Sequence, residues 1–138
     1  KCKGKDGVQQ SQRATTPFTE EPDHELSSML RSRAKKAGPD EPIFPNTSYG
    51  KVNAYMGTLD GGDFTGKDFR TLQGTQTAKY HIDKVKRIPS TEKAFKELQK
   101  KISTIVSKRL GNGPGISLGS YIDPAVWGKL RTKLDGKK

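Results

Sequence analysis

Three polar side chains with chemical potential stand at the edges of expected elements: Lys5 beside Gly4, Arg70 inside Thr65-Gly-Lys-Asp-Phe-Arg70-Thr71, and Tyr121 inside Ser120-Tyr121-Ile-Asp-Pro124. A phenol is a nucleophile only once its proton, with an ordinary pKa of about 10, is lost or shared. A guanidinium offers a planar fork of donors that suits phosphate or carboxylate, and an ammonium is a flexible cation that can surrender a proton. Each also has a plain reading when taken alone. Tyr121 would be a partly buried aromatic with its hydroxyl in water, Arg70 a surface ion pair with Asp68 or Asp63, and Lys5 a solvated terminal side chain.

Other constellations carry less. Gly61-Gly-Asp-Phe-Thr-Gly-Lys67 has the glycine and lysine spacing of a phosphate-binding loop, but Asp68 stands where that motif needs Ser or Thr for magnesium, and the preceding segment reads as helix rather than strand. Gly111 to Gly115 lacks the dinucleotide pattern, because Ile116 occupies its last glycine position. His24, His81 and Cys2 are isolated, with no zinc-ligand spacing. The expectation is therefore no metal and no nucleotide cofactor.

The elements that must position these residues read as mainly helical. Residues 9–22 are polar, hold two prolines and lack periodicity, which predicts a loop. Asp23 is placed to cap a helix carrying Leu26, Met29, Leu30 and Ala34, stopped by Gly38-Pro39. Val52, Tyr55, Met56 and Leu59 share a face of a second helical segment over 47–59, ended by Gly61-Gly62. Thr65 opens a third, with Phe69, Leu72 and one or more of Thr75, Ala78 and Tyr80 as candidates for its buried stripe and Pro89 as its limit; Gly74 inside it lowers helix propensity slightly. Ser90 caps a fourth, in which Ala94, Phe95, Leu98, Ile102, Ile105, Val106 and Leu110 recur at three and four. Gly111 to Gly115 predicts a turn, and Pro124 opens a last helix carrying Val126, Trp127, Leu130 and Leu134. A short β-hairpin near residues 1–10 is the most strand expected. The whole is taken as one domain over residues 1–138.

Composition limits the partner. The chain has 138 residues and a formal net charge of +11, with a mean hydropathy of −0.85, and no apolar run approaches the roughly 20 residues a membrane span needs. Residues 84–138 hold 14 basic and 4 acidic groups, so almost the whole excess lies in the C-terminal part. Such a concentration predicts a polyanionic partner, most simply nucleic acid, contacted through phosphates. Lys67, Lys84, Lys86, Arg87, Lys108 and Arg109 are the candidate backbone contacts. With Cys2 as the sole cysteine, an internal disulfide is excluded and a nuclear or nucleoid (cytoplasmic) location is expected rather than secretion. The start at Lys1 without Met leads to the expectation of a segment of a longer protein.

Phe64-Thr-Gly-Lys-Asp-Phe-Arg70-Thr71 resembles the arginine motif of type IB DNA topoisomerases, and Leu110-Gly-Asn-Gly-Pro114 followed by Ser120-Tyr121-Ile-Asp-Pro-Ala-Val126 resembles their tyrosine motif, most closely in the bacterial-type branch. Lys3-Gly-Lys5-Asp-Gly-Val8 is similar to the family's Gly-Lys hairpin, and Pro45 to Tyr55 to the stretch ahead of its arginine helix. The resemblance runs along the whole chain in family order. It implies the mainly α catalytic domain shared by type IB topoisomerases and tyrosine recombinases. It also implies a nick in one strand of double-stranded DNA through a 3′-phosphotyrosyl link, then religation, by a monomer and without ATP or metal. On that resemblance Tyr121 is the nucleophile, Arg70 and Asn112 donate to phosphate oxygens, and Lys5 is the general acid. The family's second arginine lies ahead of the hairpin in its members, so the resemblance implies the C-terminal part of a catalytic domain, impaired in cleavage on its own. Two other functions compete: a noncatalytic DNA-binding module, and a tyrosine site-specific recombinase, which has His three residues before the arginine where this chain has Lys67.

Overall fold

Helix caps decide where the segments of this chain begin, and the computed structural model shows them individually. It describes the backbone of residues 2–3 and 9–10, residues 14–15, and residues 21–135, with Lys133 by backbone alone. Lys5 and most of the expected loop over 9–22 lie outside the described residues. Backbone proximity divides the chain into two units, Arg13–Phe69 and Lys1–Gln12 with Arg70–Lys138.

In the unit Arg13–Phe69, the Asp23 carboxylate accepts the Leu26 N–H at 2.8 Å and starts α1 (His24–Lys36). The Ser48 hydroxyl accepts the Lys51 N–H at 3.2 Å and starts α2 (Tyr49–Met56). The segment expected to continue to Leu59 stops earlier. A 3-10 turn over Leu59–Gly61 follows, with Asp60 at φ 51° and Gly61 at φ 65°, left-handed values that an α-helix cannot contain. No residue of α1 or α2 is buried. The unit closes on a reciprocal cap: Asp68 Oδ2 accepts both the N–H and the hydroxyl of Thr65, each at 2.8 Å.

That cap opens α3 (Gly66–Asp83), whose residues from Arg70 onward belong to the other unit. The helix ends at Asp83, six residues before Pro89. Its stripe agrees with the expected one only at Ala78: Phe69 and Leu72 are exposed, and the buried face is Gly74, Thr77, Ala78 and Ile82. Burial here follows the tertiary partner, and small residues mark where that partner comes close. Thr91, one residue after the expected Ser90, caps α4 (Glu92–Leu110) through its hydroxyl, 3.2 Å from the Ala94 nitrogen. The three-and-four pattern of α4 buries Phe95, Ile102 and Val106, as its periodicity predicts.

Gly111, in the left-handed region at φ 71°, ends α4. The expected turn over 111–115 is shorter than predicted, because Pro114 stands at the first position of α5 (Pro114–Ser120). Asp123 caps a 3-10 turn over Pro124–Trp127 that leads into α6 (Gly128–Asp135). Ala78, Ile82, Phe95, Ile102, Val106, Ile122, Trp127 and Leu130 form one core in this unit. Each large apolar side chain so buried contributes about 1.5–3 kcal/mol. Two short strands belong to the unit: β1 (Cys2–Lys3) pairs antiparallel with β2 (Gln9–Gln10), the hairpin expected near residues 1–10, so that Gln9 and Gln10, read as the start of a loop, are held in strand by that pairing. Among the described residues no helix is long and apolar enough to cross a membrane.

Candidate active site

The end of α4 supplies the first wall of the site. The N–H groups of Gly111 and Asn112 both donate to the Ser107 carbonyl, at 2.8 and 3.1 Å, so the chain reverses tightly after Leu110. The Leu110 carbonyl, one of the acceptors an α-helix leaves unpaired at its end, instead accepts from Arg70 Nη2 at 2.9 Å. Arg70 is partly buried on α3, and its Cζ lies 4.9 Å from the centre of the Tyr121 ring. Its partners among the described residues are thus a carbonyl and an aromatic face, where the plain reading of the sequence offered Asp68 or Asp63. Asp68 is engaged in the Thr65 cap. Its carboxyl is held below the ordinary carboxylate pKa by the Thr65 N–H, then by the Thr65 hydroxyl and by the charge of Lys67.

Tyr121 is the residue that ends α5, its N–H donating to the Ser117 carbonyl at 3.0 Å. Two contacts fix the backbone around it on α3. The Asp123 N–H donates to Thr75 Oγ1 at 3.0 Å. The Tyr121 carbonyl lies so near Gly74 that a Cβ there would stand 2.2 Å from its oxygen. Asn112 is held from the same short helix: the buried Ser117 hydroxyl donates to its Oδ1. The Asn112 Nδ2 is buried and has no hydrogen-bond partner among the described residues.

Arg70 therefore faces the Tyr121 ring, Asn112 is tied through Ser117 to α5, the helix that Tyr121 ends, and Lys5 lies outside the described residues. The expected phosphate contacts are distributed differently. Lys84, Lys86 and Arg87 follow α3 directly and are exposed; Lys84 Nζ donates to the Tyr80 hydroxyl at 2.5 Å and lies 4.0 Å from that ring. Lys108 and Arg109 occupy the last turn of α4, Lys108 exposed and Arg109 partly buried. In the amide orientation its neighbours require, Gln73 accepts from Nε and Nη2 of Arg109, the latter at 3.0 Å. Lys67 is exposed in the first turn of α3, in the Arg13–Phe69 unit.

Sequence reasoning missed the residues that hold the others: Gly74, Thr75 and Ser117. The available signal was spacing, since Gly74 lies four residues after Arg70 and so shares its helix face. Chemically the arrangement offers a guanidinium over a phenol ring, a pair suited to an anionic group carrying several oxygens.

A family model described as the eukaryotic DNA topoisomerase I catalytic core matches residues 1–125. No curated protein and no solved structure matches the chain significantly.

Proposed function

The chain belongs to the family of the eukaryotic DNA topoisomerase I catalytic core, and from that membership we propose that it breaks and rejoins one strand of double-stranded DNA through Tyr121. The observation that carries this reading is the Arg70 guanidinium, anchored on the Leu110 carbonyl and 4.9 Å from the Tyr121 ring. Tyr121 Oη forms a bond to the scissile phosphorus while the bond from phosphorus to the 5′-oxygen breaks, giving a 3′-phosphotyrosyl link and a free 5′-hydroxyl. The phenol proton passes to water as the new bond forms, and Lys5 hands a proton to the departing 5′-oxygen. One phosphodiester is exchanged for another, so the energy of the bond is kept and the reverse reaction reseals the strand without ATP.

Arg70 serves the step by donating to the non-bridging oxygens as negative charge grows on them, through donors not engaged by Leu110. Asn112 adds a neutral donor, the Nδ2 that has no partner among the described residues. Lys67, Lys84, Lys86, Arg87, Lys108 and Arg109 hold the duplex by its phosphates, without reading base edges. A nuclear or nucleoid site of action follows from the substrate.

The test is relaxation of supercoiled plasmid without ATP or magnesium, quenched in detergent to trap the covalent adduct, with Tyr121→Phe beside the wild type. Relaxation and an adduct, both lost in the variant, support the reading. Salt-sensitive DNA binding with no adduct would identify a noncatalytic binding module instead.

A further inference from the structure

From the near contact between α3 and the segment around Tyr121, we infer that Gly74 and Thr75 are positioning residues that hold the Tyr121 phenol in register with the Arg70 guanidinium. This rests on the reading of Tyr121 as the nucleophile. Four residues apart on α3, Arg70 and Gly74 lie one above the other on a single face. Arg70 grips the Leu110 carbonyl and faces the Tyr121 ring. Gly74 receives the Tyr121 main chain: an ideal Cβ at this position would stand 2.2 Å from the carbonyl oxygen, 3.2 Å from the carbonyl carbon and 3.3 Å from Leu110 Cδ1. Thr75 then takes the Asp123 N–H at 3.0 Å. The main chain that leads on from the tyrosine side chain, from the Tyr121 carbonyl to the Asp123 N–H, is thus held against the helix that carries the arginine.

The obstacle a Cβ would meet is main chain, which cannot rotate away as a flexible side chain does. Ordinary contacts begin at 3.4 Å, so a methyl group at position 74 requires the Tyr121 carbonyl to retreat by about 1.2 Å. A displacement of about 1 Å between reacting groups costs roughly a hundredfold in rate. The hydroxyl of Thr75 acts through direction as well as distance, since it fixes the main chain that leads from Tyr121 into the Asp123 cap. Neither residue touches the phosphate, so each acts through Tyr121.

The experiment uses a nicked duplex that traps the adduct at saturating DNA, with DNA affinity measured separately and folding checked by urea titration. Gly74→Ala is expected to lower the rate of adduct formation about a hundredfold with DNA affinity unchanged. Gly50→Ala, also within a helix but with no atom of another segment of the described residues within 4 Å of the new Cβ, is expected to keep the wild-type rate. Thr75→Val, which loses the acceptor, is expected to slow the step at least tenfold, and Thr75→Ser, which keeps it, to restore the rate. Amide hydrogen exchange at Asp123 should rise in Thr75→Val and return in Thr75→Ser, while exchange in the middle of α4 stays the same. Wild-type adduct rates in both Gly74→Ala and Thr75→Val would overturn the inference, as would unchanged exchange at Asp123 in Thr75→Val. An adduct that survives Tyr121→Phe would refute the proposed nucleophile instead, and the exchange measurements would still decide whether Thr75 holds this segment. If Gly74→Ala fails to fold, the Thr75 pair carries the decision.

Discussion

Replacing Arg70 separates two contributions that meet in one guanidinium. Its bond to the Leu110 carbonyl is 2.9 Å long and part-buried, and a hydrogen bond from a charged donor contributes about 1.5–3 kcal/mol. The Tyr121 ring, 4.9 Å from Cζ, adds about 0.5–1 kcal/mol. Arg70→Ala is therefore expected to lower the unfolding free energy by about 2–4 kcal/mol, read as a lower urea midpoint at constant m. The rate should fall by a separate amount. Removing a donor aimed at developing charge costs about 3–4 kcal/mol, on the order of a hundred- to a thousandfold. Arg70→Lys keeps the charge, but one ammonium cannot hold the Leu110 carbonyl and also present a planar fork to two phosphate oxygens. It should recover DNA affinity while regaining less than about tenfold of the rate. The assay pairs urea titration with single-turnover adduct formation at saturating DNA. Lost stability with a wild-type rate would reduce Arg70 to a bridge between α3 and α4, and a lost rate with unchanged stability would refute the bridge.

Three further outcomes can be checked more briefly. Asp68 has its pKa held below the ordinary value of 3.8, so its cap on α3 contributes fully above that value and is lost as pH falls through the lower folded-state value. The Thr65 amide proton, followed by NMR, should shift through that acidic window, and Asp68→Asn should abolish the shift. Ser117→Ala leaves the Asn112 Oδ1 without its donor, with an expected loss of about 1–3 kcal/mol by urea titration; an unchanged midpoint would show that the hydroxyl does not hold the amide. Lys84→Ala, Lys86→Ala and Arg87→Ala should each reduce the slope of log affinity against log salt by about one, with no change in base preference. A slope equal to that of the wild type in all three would remove that segment from the DNA contact.

How much of this was legible in the sequence varied with the range of the interaction. The α4 pattern was readable because seven apolar positions recur over many turns, and Asp23 because a cap acts only three residues away. The arginine and tyrosine motifs were visible in order, and the Arg70 guanidinium lies 4.9 Å from the centre of the Tyr121 ring. The α5 helix was hidden among glycines, since seven residues are too few to display a period. Phe69 and Leu72 looked internal from spacing alone, yet both are exposed. Gly74 was read as a weak point of α3, because propensity counts only the helix itself. Its significance depends on a carbonyl 47 positions further along the chain, which no local window contains.

The glycine at position 74 also has a consequence for how this chain can vary through descent. Every other amino acid carries a Cβ, and the atom it would meet belongs to the backbone at Tyr121. The residue at this site and the spacing between α3 and the tyrosine segment are therefore inherited as a pair. A lineage can acquire alanine here only alongside changes that move the two segments apart. In a library of variants of this chain, position 74 should remain glycine under selection, while Gly113 and Gly115, whose new Cβ atoms would meet no other segment of the described residues within 4 Å, should vary more.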